Sequence, residues 1–166
     1  SLGLVGSEMC IRDRGVVLAK ILGYEFLDSD LLIQKEEKRR LYQIIDEEGE
    51  DGFKAIENRV NASIDTENTV IATGGSVVYC SEAMEHLKSI GKVVYLSLSL
   101  ESLEKRLGNL KKRGVLLKEG QTLKSLYEER VPLYEKYADI VVDEEGKDLE
   151  ASLQALLETL QTGVIK

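Results

Sequence analysis

The sequence predicts an α/β protein: a parallel β-sheet flanked by helices, three layers in all. Two observations carry this. Thr69–Ala72 (Thr-Val-Ile-Ala) is a short β-branched run of the kind that forms a strand buried on both faces, and Lys92–Leu96 and Asp139–Val142 are further strand-like runs. Helical stretches lie between these runs, and strands separated by helices imply right-handed crossovers and parallel pairing.

The elements follow in order. Gly15–Leu22 reads as a helix stopped by Gly23 as its C-cap. Tyr24–Asp28 reads as a short strand. Residues 39–46 and 53–64 are helical, with a break at Gly49 and Gly52. After the 69–72 strand, residues 81–89 form a helix with Ser81 as N-cap and Glu82 in its first turn. Strand 92–96 and helix 100–107 follow, then a basic loop bounded by Gly108 and Gly120. Residues 122–137 are helical apart from Pro132, 139–142 form the last strand, and 148–160 the last amphipathic helix. With no repeat, low-complexity tract or linker, residues 1–166 are expected to form one domain.

Composition narrows the function. A chain of 166 residues that is 43% hydrophobic and 31% charged has enough apolar mass for a core. Its net charge of −8 argues against general nucleic-acid or acidic-membrane partners. An anionic ligand would therefore need a local basic cluster. Cys10 and Cys80 offer neither a metal spacing nor a disulfide framework, which fits a reducing cytoplasm. No membrane-length apolar run and no signal peptide is visible.

Four features carry chemistry. The 24–28 strand ends in Asp28-x-Asp30, and ligands of α/β sheets gather at the carboxyl ends of strands. Two acids one residue apart suit metal-assisted phosphoryl transfer, one beside a hydrated Mg²⁺ and the other orienting a hydroxyl. Taken alone, such a pair more often caps the next helix. Ala72-Thr73-Gly74-Gly75-Ser76 follows a strand directly, so two glycines let backbone amides approach a ligand; a plain tight turn has the same spelling. Lys111-Lys112-Arg113-Gly114 is a basic cluster in the 108–120 loop, read as a lid over phosphates or as a solvated charge run. Glu129-Arg130-Val131-Pro132-Leu133-Tyr134 places an arginine fit to grip a carboxylate bidentately, with Pro132 expected to kink the helix and aim it.

Order and spacing say more than any piece. Leu22-Gly23-Tyr24-x-Phe26-x-Asp28-x-Asp30, Gly49-Glu50-x-x-Phe53-x-x-x-Glu57, Ala72-Thr73-Gly74-Gly75, Val93-Val94-Tyr95-Leu96 and Arg130-x-Pro132-Leu133-Tyr134-x-x-x-Ala138-Asp139 occur in that order. With these motifs the chain resembles the shikimate kinases, small P-loop kinases, from about Gly15 to the C-terminus. The resemblance implies a fold like that of P-loop nucleoside-monophosphate kinases. It also implies transfer of the γ-phosphoryl of ATP to the 3-hydroxyl of shikimate, a step of chorismate and aromatic amino-acid biosynthesis, with ATP and Mg²⁺ as cofactors. A cytoplasmic monomer is expected. By position, Asp30 matches the aspartate that binds the shikimate hydroxyls and acts as base. Asp28 matches the one beside the Mg²⁺ water shell. Gly74 and Gly75 match the substrate turn, and Arg130 the carboxylate-gripping arginine. Arg113 matches the lid arginine directed at the ATP phosphates, and Arg106 an arginine stacked on adenine.

The chain departs from that pattern. Lys54 stands where the pocket has an arginine, and a lysine cannot fork onto a carboxylate. The lid reads Arg113-Gly114-Val115-Leu116-Leu117, with Gly for Pro, and Ser76 replaces a third glycine. Above all, no G-x-x-x-x-G-K-[ST] loop precedes the first helix. Residues 1–14 hold no lysine, and Val5-Gly6-Ser7-Glu8-Met9-Cys10-Ile11-Arg12-Asp13 resembles translated sequencing-adaptor readthrough. Residues 1–14 are thus expected to be foreign, and the chain as written inactive. Three readings stay open: a shikimate kinase with a damaged N-terminal segment, a degenerate non-catalytic binding module, and a kinase for another small hydroxy acid.

Overall fold

The computed structural model describes residues 1–6, 8–107 and 121–162. Its order is β1 (Leu2–Gly6), α1 (Glu8–Leu22), β2 (Glu25–Asp28), α2 (Ser29–Glu37), α3 (Leu41–Ala62), β3 (Thr69–Ala72), α4 (Ser81–Ile90), β4 (Lys92–Ser97), α5 (Leu100–Leu107), α6 (Leu123–Tyr137), β5 (Ile140–Asp143) and α7 (Leu149–Thr162). The five strands form one sheet in the order β2-β3-β1-β4-β5, every pair parallel.

Alternating side chains fill the two faces, as the period of a strand requires. Leu4, Val70 and Val94 face α1 and α7 with Leu18 and Leu156. Val5, Ile71 and Tyr95 face α4 and α6 with Met84, Leu87 and Tyr134. A satellite of Ile33, Ile44 and Val60 holds α2 on α3. Each fully buried aliphatic side chain contributes roughly 1.5–3 kcal/mol. Among the described residues no helix is long and apolar enough to cross a membrane.

Several boundaries differ from the sequence reading. Residues 2–6 belong to the segment expected to be foreign, yet Leu4-Val5-Gly6 can be read as the end of a first strand, and they do form the central strand, because Leu2-Gly3-Leu4-Val5 is an apolar run buried on both faces. Helix α1 begins at Glu8 rather than Gly15. Gly15 lies within it where packing is closest: a Cβ there would come within 2.9 Å of Phe26 and 3.2 Å of Leu4. Helix α2 is unanticipated. The break expected between residues 46 and 53 shrinks to one residue, Gly49, at φ +73° within α3. Ser81 is not a cap; Cys80 is the N-cap residue, without a side-chain bond, and Asn58 Oδ1 of α3 accepts from Ala83 N at 3.0 Å. Pro132 neither stops nor restarts α6, which runs through it. Pro132 itself is exposed, on the side of α6 away from the core. The 108–120 lid loop and Arg113 lie outside the described residues.

Candidate active site

The strand ends meet at one mouth. Asp28 closes β2 and caps α2: its Oδ1 accepts from Asp30 N at 2.9 Å and Leu31 N at 3.3 Å. Asp28 thus caps α2 through Oδ1 alone, as the helix-capping reading of the pair expects, and its Oδ2 is left to a second partner. Arg12 of α1 lies across both acids, with Nε 3.0 Å from Asp28 Oδ2 and Nη2 2.9 Å from Asp30 Oδ2. Asp30 is buried, Asp28 half-buried.

The glycine turn after β3 stands over Asp30. A Cβ on Gly74 would sit 3.0 Å from Asp30 Oδ1 and 3.1 Å from Glu57 Oε2. A Cβ on Gly75 would sit 2.7 Å from Arg130 Nη1. Side chains at these two positions would push the acid and the arginine out of place, which is the physical demand for glycine there. Ser76 Oγ donates to Glu57 Oε1 at 2.7 Å, so the departure from a third glycine gives a buried carboxylate a donor.

Arg130 arrives from α6. Tyr134, one turn on, stacks on Tyr95 at 5.0 Å, and its hydroxyl donates to Gly75 O at 2.8 Å and reaches Gly6 O at 3.4 Å. One phenol thus ties α6 to the end of β1 and to the glycine turn. Burial works against the charge on Arg130, but the Tyr134 and Tyr79 phenols more than offset it, so the guanidinium stays charged. Its Nε is buried with no hydrogen-bond partner among the described residues. An orphaned buried donor on a cation is costly and asks for an anionic acceptor. Lys54 of α3 places its ammonium 4.5 Å from the Tyr79 ring centre, beside the same turn.

Asp28, Asp30, Gly74, Gly75 and Arg130, together with Lys54 at the edge, are thus gathered as the sequence pattern suggests. Arg106 is not: it lies on α5 and acts electrostatically on Glu145 in the loop after β5, at the other side of the mouth. The sequence reading missed Arg12, Tyr79 and the structural work of Glu57. Glu57 had a signal, as the last residue of the Gly49-to-Glu57 motif; Tyr79 had none, and Arg12 lay in the discounted segment.

The described residues at this mouth do not by themselves fit a Mg²⁺–triphosphate. Arg12 already holds both carboxylates, no lysine occurs before Lys20, and no group of three or more His, Cys, Asp or Glu side chains able to hold a metal exists among the described residues. A groove of about 800 Å³ lined by Val17, Ile21, Leu153 and Leu157 shares no residue with this mouth.

The five-stranded parallel sheet with its flanking helices is that of the P-loop kinases, and strand-end acids, paired glycines and converging cations are what such phosphotransferases present to a small acceptor substrate. Comparison with known proteins narrows this. The family described as shikimate kinase matches residues 13–161. The shikimate kinase of Francisella tularensis subsp. novicida is 40% identical over 136 residues, 80% of this chain and 77% of that protein. The shikimate kinase of Persephonella marina is 36% identical over 134 residues, covering 80% and 81%. The structure of Acinetobacter baumannii shikimate kinase in complex with shikimate superposes with a TM-score of 0.85 at 32% identity, covering 99% of this chain and 94% of that one. The chain belongs to the shikimate kinase family, whose members are ATP-dependent phosphotransferases.

Proposed function

We propose that the mouth at Gly74 and Gly75 binds shikimate, with Asp30 holding the ring hydroxyls and standing to take a proton as base. Gly74 and Gly75 leave room for the ring, and Arg130 with Lys54 grips the carboxylate. One observation carries this reading: a carboxylate reaches one of two successive glycines, and a cation with an orphaned buried Nε reaches the other. A compact ligand with a carboxylate at one end and hydroxyls at the other is complementary to that order of charge. The Acinetobacter relative, described in complex with shikimate, supports the same ligand.

The phosphate side stands apart. For a chain with a complete glycine-rich loop we assign Mg²⁺ to the water shell of Asp28, the ATP phosphates to Arg113 and the adenine side to Arg106, in a cytoplasmic monomer. The chain as written is expected to turn over little or no ATP. Its first twelve residues lie outside the family match, and Arg12 occupies the acids. The test pairs calorimetry with an ADP-release assay. Shikimate is expected to bind, Arg130→Ala to weaken it by tenfold or more, and ADP release to be absent. Rebuilding residues 7–13 so that Gly6 opens a Gly-x-x-x-x-Gly-Lys-Ser loop, with Arg14 and its buried ion pair kept, is expected to confer turnover. ATP-dependent phosphorylation by the chain as written would sink the inactivity proposal; no shikimate binding at millimolar concentration would sink the site.

The Arg12 bridge favours a second reading, a binding module that holds the acid and performs no transfer. That reading expects no turnover even after the loop is inserted. Lys54 favours a third, another hydroxy acid as substrate, and competition between shikimate and such acids at fixed ATP in the loop-restored chain decides it.

A further inference from the structure

Tyr79 stands among the cations assigned to the carboxylate, yet belongs neither to the acid pair nor to the glycine turn. It closes a short 3-10 turn, Val77–Tyr79, directly after Ser76. The Lys54 ammonium lies 4.5 Å from its ring centre and the Arg130 guanidinium carbon 5.7 Å, both within cation–π range. Its hydroxyl donates to Glu129 Oε1 at 2.6 Å, on the residue that precedes Arg130 in α6. Burial, then Glu129, pushes the phenol above its ordinary value, so it remains a protonated donor. One side chain therefore touches α3 through Lys54 and α6 through Glu129 and Arg130.

We propose that Tyr79 is a positioning residue for the substrate carboxylate, its ring holding the Lys54 ammonium and the Arg130 guanidinium at a fixed spacing. The inference rests on Lys54 and Arg130 being the carboxylate's partners. A lysine ammonium is a compact charge on a flexible four-carbon stem and lacks the planar fork that orients an arginine. Docked on an aromatic face it loses that freedom before the ligand arrives, so less is lost on binding. The aromatic platform thus compensates for the lysine at position 54, and the compensation is specific to ligands that carry an anion.

The test is calorimetry on the chain as written, titrated with shikimate and with its analogue in which the carboxylate is reduced to a primary alcohol. Y79L, which removes the ring, is expected to weaken shikimate about tenfold, the equivalent of two such contacts. Y79F keeps the ring and is expected to lose roughly threefold or less, the share of one hydrogen bond. The alcohol is expected to bind the parent and Y79L alike. In a K54M background the loss caused by Y79L is expected to shrink, because one of its two cations is gone. Melting curves establish that each variant is folded at the assay temperature, and Y79Q replaces Y79L if it is not. Equal losses for acid and alcohol, or unchanged shikimate affinity in a folded ring-less variant, would overturn the inference while leaving the site intact. A parent chain that binds no shikimate would overturn the reading of the site itself, and this inference with it.

Discussion

Cys80 illustrates what burial does to a nucleophile beside a polar site. Its thiol is buried, with Sγ 3.6 Å from Lys54 O and 3.9 Å from Glu57 Oε1. Burial first, and the Glu57 charge second, push it up to about 12. The thiolate is the reactive form, so at pH 8 the native thiolate fraction is about a thousandfold below that of an ordinary cysteine. In a Cys10→Ser background, iodoacetamide is expected to label Cys80 at least about a hundredfold faster in urea than in buffer. Comparable rates in the two would show an open site at Cys80. The same environment marks the limit of reading single residues from sequence. Asp28, Asp30, Gly74, Gly75 and Arg130 stood out in the sequence because each lies in a short motif of fixed spacing, Asp-x-Asp, Thr-Gly-Gly and Arg-x-Pro-Leu-Tyr, and the fold brings the three motifs to one mouth. Arg12 and Tyr79 were not, because each takes its meaning from side chains on other elements: Asp28 and Asp30 for one, Lys54, Glu129 and Arg130 for the other.

Elements were legible where one period dominated a run. Strands β3, β4 and β5 showed as apolar β-branched runs and fell within about a residue of their observed limits, although β5, at the sheet edge, buries only alternate residues. Element ends were less legible, because tertiary partners decide them: Asn58 caps α4 from across the interface, and Gly49 absorbs the turn within α3 in one left-handed residue. Asp139, just before β5, works in the same way. Its Oδ2 accepts from Val93 N of β4 at 2.9 Å, and Lys88 of α4 donates to its Oδ1 at 3.0 Å. Burial alone would raise this carboxyl, but the Val93 amide and Lys88 outweigh it and hold it below the ordinary value. A carboxylate depressed in the folded state adds stability that is present above its unfolded value near ~3.9 and disappears as pH falls through the folded value. Asp139→Asn is therefore expected to cost about 1 kcal/mol at pH 7. The gap between the two proteins in urea unfolding should close below about pH 4. A gap that stays constant down to pH 2.5 would remove the charge from the account.

At the scale of the whole molecule, the chain's two ends are joined by a buried ion pair. Arg14 of α1 places Nε 2.9 Å from Glu144 Oε2 and 2.9 Å from Ser152 Oγ of α7, while Ser152 donates to the other oxygen of Glu144 at 2.5 Å. Glu144 is fully buried and Arg14 nearly so. Nothing in the sequence pairs residues 130 positions apart; only the sheet order, with β1 central and β5 at the edge beneath α7, brings them together. The pair ties α1 to α7 and to the end of β5, two residues beyond Arg12, which meets Asp28 and Asp30. Removing one partner strands a buried charge, at a cost of roughly 3–5 kcal/mol, whereas replacing both with apolar groups of similar size is often neutral. Arg14→Met is thus expected to lower the melting temperature by roughly 10 °C for a chain of this size. Arg14→Met/Glu144→Met is expected to recover most of that loss. Scanning calorimetry of the two variants decides the matter: an Arg14→Met protein that melts within about 2 °C of the parent would mean that α1 is held by its apolar face alone, through Ile11 and Leu18, and that the ion pair only marks where the helix lands.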